Sequence, residues 1–138
     1  MKATSKVLII DDDEIYSFVL SRLLRKNDFI EHIACEHSAT AGLQYLETHN
    51  GPLGEALPDL IFLDINMPIM NGWDFLEEYR ALKPTLHKEP VLYMLSSSVF
   101  DGDILKSQDY ANVAGYVAKP ITNAQFLQIV QTHFMMID

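Results

Sequence analysis

Val7-Leu-Ile-Ile10, followed at once by Asp11-Asp12-Asp13-Glu14, is the stretch that decides the fold. Four consecutive apolar residues without alternation suit a strand buried on both faces, as in a parallel sheet covered by helices, because a strand with one wet face would alternate. The same signature recurs at Leu60 to Leu63, after Pro58-Asp59, and at Val91 to Leu95, after Pro90. Gly115-Tyr116-Val117-Ala118 is a shorter version. Ile30 to Cys35 is a weaker one, interrupted by Glu31 and His32. Five strands are expected.

Between these runs, apolar residues recur at helical spacing. Ile15, Phe18, Val19 and Leu23 form one stripe, Leu43 and Leu46 a second, Leu76, Tyr79 and Leu82 a third, and Ile104 and Leu105 a weak fourth. A last helix is expected from Asn123 to about His133, with Phe126, Ile129 and Val130 inward and Thr122 to Gln125 as a capping box. Asp13 reads as the N-cap of the first helix. Strand and helix therefore alternate five times, which gives an α/β fold: a doubly wound, five-stranded parallel sheet with helices on both faces. His49 to Pro58, with Gly51, Pro52, Gly54 and Pro58, reads as an extended loop. One domain is expected over residues 1–138, its core at about 5–134, with no output domain attached.

Composition narrows the function classes. The chain has 138 residues, 49% hydrophobic, enough for one sizeable core. Ten Lys and Arg against 19 Asp and Glu give a net charge of -9, which disfavours non-specific nucleic-acid binding and an anionic membrane surface. Cys35 has no partner for an internal disulfide, the N-terminus has no signal-peptide core, and no apolar run is long enough to span a bilayer. A cytoplasmic protein is expected.

In open α/β sheets ligands bind beyond the carboxyl ends of the strands. Here those ends carry Asp11-Asp12-Asp13-Glu14, Asp64, Ser96-Ser97-Ser98 and Lys119-Pro120. Clustered carboxylates need a compensating cation to remain ionised, and Lys119 with a divalent metal would supply it. An oxygen-only donor set favours Mg²⁺, and Mg²⁺ with open positions for phosphate oxygens suits phosphoryl transfer. The histidines His32, His37, His49, His87 and His133 show no ligand spacing and read as surface or packing residues.

Val7 to Glu14, Asp59-Leu-Ile-Phe-Leu-Asp-Ile-Asn-Met-Pro-Ile-Met-Asn-Gly72, Leu95-Ser96-Ser97 and Tyr116-Val-Ala-Lys-Pro120 together resemble the receiver domain of two-component response regulators, over nearly the whole chain. The resemblance implies the flavodoxin-like (βα)5 arrangement with strand order 2-1-3-4-5. It implies that Asp64 accepts a phosphoryl group from a histidine kinase or phosphotransfer protein, and that Asp11, Asp12, Asp64 and the Asn66 carbonyl hold Mg²⁺. Ser96 and Lys119 would serve the phosphoryl group, and Ser96 with Tyr116 would form the switch. Pro68 and Gly72 would shape the loop after Asp64, Gly72 by letting it turn, and Pro120 would follow a cis bond. Ser96 stands where threonine is commoner in the family, and Ser98 and Asn66 occupy positions resembling those that tune dephosphorylation.

The output implied is a downstream protein partner, or a homodimer through the face of the fourth helix, fifth strand and last helix, without direct DNA binding. Enzymatic activity beyond self-catalysed phosphoryl transfer and autodephosphorylation is not expected. Two other readings use the same residues. A haloacid-dehalogenase-like phosphatase would use Asp11 as nucleophile and Asp13 as acid, leaving Asp64 without a role. A pseudo-receiver would dock partners unphosphorylated.

Overall fold

The computed structural model describes residues 5–97, 110 and 112–134. The order is β1 (Lys6–Ile10), α1 (Glu14–Leu24), β2 (His32–Glu36), α2 (Ala39–Thr48), β3 (Leu60–Asp64), α3 (Gly72–Leu82), a 3₁₀ turn (Lys83–Thr85), β4 (Val91–Ser96), β5 (Gly115–Ala118) and the last helix, here α4 (Asn123–His133). The weak fourth helical stripe around Ile104 and Ser98 lie outside the described residues.

All four strand pairings are parallel and the order is β2-β1-β3-β4-β5. β3 is buried at every position, as its unbroken apolar run requires. Alternate residues feed two cores. Leu8, Ile10, Ile61, Leu63, Leu92 and Met94 pack with α2 and α3, while Val7, Ile9, Leu60, Phe62 and Leu95 pack with α1 and α4. The order reverses between β1 and β3. Their adjacent carboxyl ends form the crevice in which such sheets bind ligands.

The caps match the sequence. Asp13 accepts the Tyr16 N–H, and Thr122 and Gln125 form a reciprocal capping box on α4. The loop before β3 turns at Gly54, where φ is +66°. β2 starts two residues later than expected, because the Ile30 N–H closes a turn onto Asn27 and the Glu31 N–H bonds to Ser5.

The inward face of α1 needs correction. Ile15, Phe18 and Val19 are 78%, 60% and 56% exposed, and the buried residues are Ser17, Leu20 and Leu24. The helix carries two apolar stripes, and only the one containing Leu20 and Leu24 meets the sheet. Among the described residues no helix is long and apolar enough to cross a membrane.

Candidate functional site

The crevice is built from three chain segments that end at the same edge. β1 delivers Asp11, fully buried, whose Oδ1 accepts the Asp13 N–H at 2.9 Å. β3 delivers Asp64, 3% exposed. β5 runs into Lys119, whose N–H donates to the Ser96 carbonyl at 2.7 Å, so the lysine backbone is tied to the end of β4 before the cis Lys119–Pro120 bond. The Lys119 ammonium lies 2.6 Å from Asp11 Oδ2 and 3.4 Å from Asp64 Oδ1. Asp12 is exposed, yet Asp11, Asp12 and Asp64 each bring a carboxylate oxygen within 4.8 Å of the others.

This geometry strains the charge balance. Burial first, and then repulsion from Asp11, push the Asp64 carboxyl up to about 7, against the opposing pull of Lys119 and the Asn66 N–H at 3.4 Å. Burial alone would lower Lys119, but its hydrogen bond to Asp11 and the charge of Asp64 carry it above the ordinary lysine value. One ammonium thus serves two buried carboxylates, and the nearer takes most of it. Near neutral pH the cluster can take up a proton or a cation. Three hard oxygen donors at this spacing, without sulfur or imidazole among them, fit a Mg²⁺ ion that keeps water or phosphate positions open.

The same chain matches the family model described as the response regulator receiver domain over residues 7–131. The chain belongs to the response regulator receiver domain family. It is 31% identical to hybrid signal transduction histidine kinase L of Dictyostelium discoideum over 134 residues, which are 96% of this chain and 7% of that protein. It is 35% identical over 97 residues to a protein-glutamate methylesterase/protein-glutamine glutaminase of Desulfotalea psychrophila, 70% of this chain and 24% of the relative. The chain therefore spans a quarter or less of the length of these two relatives. Among solved structures, a two-component response regulator from Cytophaga hutchinsonii superposes with a TM-score of 0.85 at 28% identity, covering 95% of this chain and 97% of that one. A receiver protein from Dyadobacter fermentans gives 0.82 at 25%, covering 96% and 99%.

In this receiver the loop after Asp64 is shaped differently from the expectation. The residue with left-handed backbone is Ile69, at φ 69° and fully exposed, beside the exposed Pro68, whose carbonyl accepts the Met70 N–H at 2.8 Å. Gly72 is not the turning residue. A Cβ there would lie 2.8 Å from the Asp64 carbonyl oxygen and 2.9 Å from Ile65 Cα, so glycine is required for close approach of α3 to the end of β3. The Gly72 N–H donates to the Ile65 carbonyl at 2.8 Å, and Asn71 with Asp74 caps the helix reciprocally.

Ser96, fully buried, ends β4 opposite Ala118, and Tyr116 on β5 lies opposite Met94, packed at the edge of the core that contains α2 and α3. The structure thus brings Asp11, Asp12, Asp64 and Lys119 together at one strand edge with Ser96 at the end of the neighbouring strand, while Tyr116 lies a few residues back along β5. Asn66 is exposed just beyond Asp64. Asp13 is committed to capping α1 and is exposed, which leaves the Asp11/Asp13 phosphatase pairing without geometric support.

Two residues beside the site escaped sequence reasoning. His37, read as a surface or packing residue, follows β2 and places Nδ1 3.0 Å from the Asp11 carbonyl oxygen. Tyr16 lies in α1 with its ring centroid 4.9 Å from the Lys119 ammonium, and its hydroxyl accepts the Ile121 N–H at 3.1 Å. His37 had a usable signal, since it stands at a strand end.

Proposed function

We propose that this receiver accepts a phosphoryl group on Asp64 from a histidine kinase or phosphotransfer protein and uses it to switch a protein-interaction surface. The observation that carries the reading is a buried carboxylate, pushed up to about 7, beside two further carboxylates and a shared ammonium at the switch point of the sheet. Asp11, Asp12, Asp64 and the Asn66 carbonyl would hold Mg²⁺, which when bound supplies charge neutralisation for the transferring phosphoryl group. An Asp64 carboxylate oxygen attacks phosphorus, the bond from phosphorus to the donor imidazole breaks, and the electron pair leaves with that nitrogen. The Lys119 ammonium exchanges a carboxylate partner for a phosphoryl oxygen. The Ser96 hydroxyl turns toward the same group, and Tyr116 repacks behind it to change the face of β5 and α4, where a downstream partner or a second copy would bind.

The donor would dock on the exposed stripe of α1, since Ile15, Phe18 and Val19 stand beside the acidic loop that holds Asp11 and Asp12. Three apolar side chains left exposed at neighbouring helix positions on a chain of net charge -9 suit such a contact. In this reading the receiver is a cytoplasmic signalling switch that works through phosphorylation and dephosphorylation of its own aspartate.

The test is intact-mass measurement after acetyl phosphate or phosphoramidate with Mg²⁺. One phosphoryl group should be added, Asp64→Asn should abolish it, and Asp11→Asn should retain some. Labelling kept in Asp64→Asn and lost in Asp11→Asn would favour the phosphatase instead. An unlabelled native chain would favour a docking module.

A further inference from the structure

Tyr16 has three groups committed to three parts of the site. Its N–H donates to the Asp13 carboxylate at 2.9 Å, in the acidic loop after β1. Its hydroxyl accepts the Ile121 N–H at 3.1 Å, two residues beyond Lys119. Its half-buried ring lies 4.9 Å from the Lys119 ammonium, within the range over which an aromatic face attracts a cation. The lysine side chain is only 13% exposed, so this attraction is poorly screened by water.

A lysine ammonium on a four-carbon stem is mobile unless its surroundings fix it. Two of the groups that fix Lys119, Asp11 and Asp64, change their own charge or partners when a cation or phosphoryl group arrives. The Tyr16 ring is neutral and bound into α1, so its attraction is unchanged by those events. We infer that Tyr16 is a positioning residue for phosphoryl transfer: its ring keeps the Lys119 ammonium in place while the hydrogen bonds of that ammonium pass from carboxylate to phosphoryl oxygen. Its hydroxyl steadies the backbone that follows the lysine. The inference rests on Asp64 being the acceptor.

A side chain that merely filled the gap between α1 and the β5–α4 loop would be replaceable by any apolar group of similar size, and that difference can be measured. The experiment compares the native chain with Tyr16→Leu and Tyr16→Phe, following labelling of Asp64 by phosphoramidate at saturating Mg²⁺ and, separately, the Mg²⁺ concentration for half the maximal rate. Tyr16→Leu should slow the maximal rate about tenfold with half-saturating Mg²⁺ unchanged, and Tyr16→Phe, which keeps the ring, should stay within about twofold of the native rate. The ammonium ¹H–¹⁵N resonance of Lys119 should keep its ring-current shift in Tyr16→Phe and lose it in Tyr16→Leu.

Native-rate labelling in Tyr16→Leu overturns the inference. So does a Tyr16→Phe variant as slow as Tyr16→Leu, or a loss in Tyr16→Leu carried by weaker Mg²⁺ dependence. A native chain that takes no label would instead remove the acceptor reading, and the Lys119 resonance would still show whether the ring holds the ammonium.

Discussion

Asp59 and Asp64 bracket β3, are 4% and 3% exposed, and differ in almost everything else. At the amino edge of the strand, Asp59 Oδ2 accepts the Ser5 N–H, the Ser5 hydroxyl and the Lys6 N–H at 3.1, 3.2 and 3.0 Å, while Oδ1 pairs with Lys88. Burial pushes its carboxyl up, but Lys88 and the backbone donors outweigh it and hold it below the ordinary carboxyl value. At the carboxyl edge, Asp64 has one long N–H contact and the far side of a shared lysine, and its carboxyl rises to about 7. Residue type, strand and burial are held constant, so the difference lies in the neighbours: a lysine and backbone donors around Asp59, and repulsion from Asp11 with few donors at Asp64. Folding alone completes the Asp59 edge. The Asp64 edge leaves two buried carboxylates sharing one ammonium.

The largest effect is expected at the satisfied end. Asp59→Ala strips the carboxylate partner from Lys88, leaving it only the Leu57 carbonyl among the described residues, and leaves the Ser5 and Lys6 N–H groups without the Asp59 acceptor, so urea unfolding should show a loss of about 3 kcal/mol. A loss below about 1 kcal/mol would break the comparison. Gly72→Ala should cost about 2 kcal/mol in the same assay, because the new methyl meets backbone rather than a side chain that can move.

The two aspartates should also differ in sign with pH. Asp64, with its folded value raised, contributes stability below the ordinary carboxyl value that is lost as pH rises through about 7. Asp64→Asn should therefore stabilise the fold by about 1 kcal/mol at pH 8 and by little at pH 5. Asp59, with its folded value lowered, contributes stability above the ordinary value that is lost as pH falls through the folded one. Stability curves of Asp59→Asn and Asp64→Asn that ran parallel between pH 5 and 8 would contradict this. The smallest effect on stability is expected at Phe18, which is 60% exposed. Phe18→Ala should stay within about 0.5 kcal/mol yet slow phosphoryl transfer from a histidine donor, with phosphoramidate labelling unchanged.

The same contrast explains what could be read from sequence. Runs such as Leu60 to Leu63 specify strands buried on both faces, and polar residues just after them mark the ligand edge, so Asp11, Asp12, Asp64, Ser96 and Lys119 were legible as a group. Periodicity reports that a helix has an apolar stripe without saying where that stripe points. Ile15, Phe18 and Val19 have core spacing and face outward, while Ser17 lies buried. Gly72 was legible as a necessary glycine but not for its reason, because the backbone it approaches belongs to the end of β3. The contact of Tyr16 with Lys119 and the network around Asp59 join residues far apart in the chain, and no local pattern encodes them.

At the amino edge of β3 Lys88 pairs with Asp59, whereas at the carboxyl edge Asp64 shares Lys119 with Asp11, and Mg²⁺ is expected to bind there. Calorimetric titration of Mg²⁺ at pH 7 in two buffers of different ionisation enthalpy measures this directly, because an ion that binds a partly protonated carboxyl must displace its proton. The expected result is net proton release at pH 7, none at pH 9, and none at either pH in Asp64→Asn. Heats independent of buffer at pH 7, or the same release from Asp64→Asn, would contradict the account.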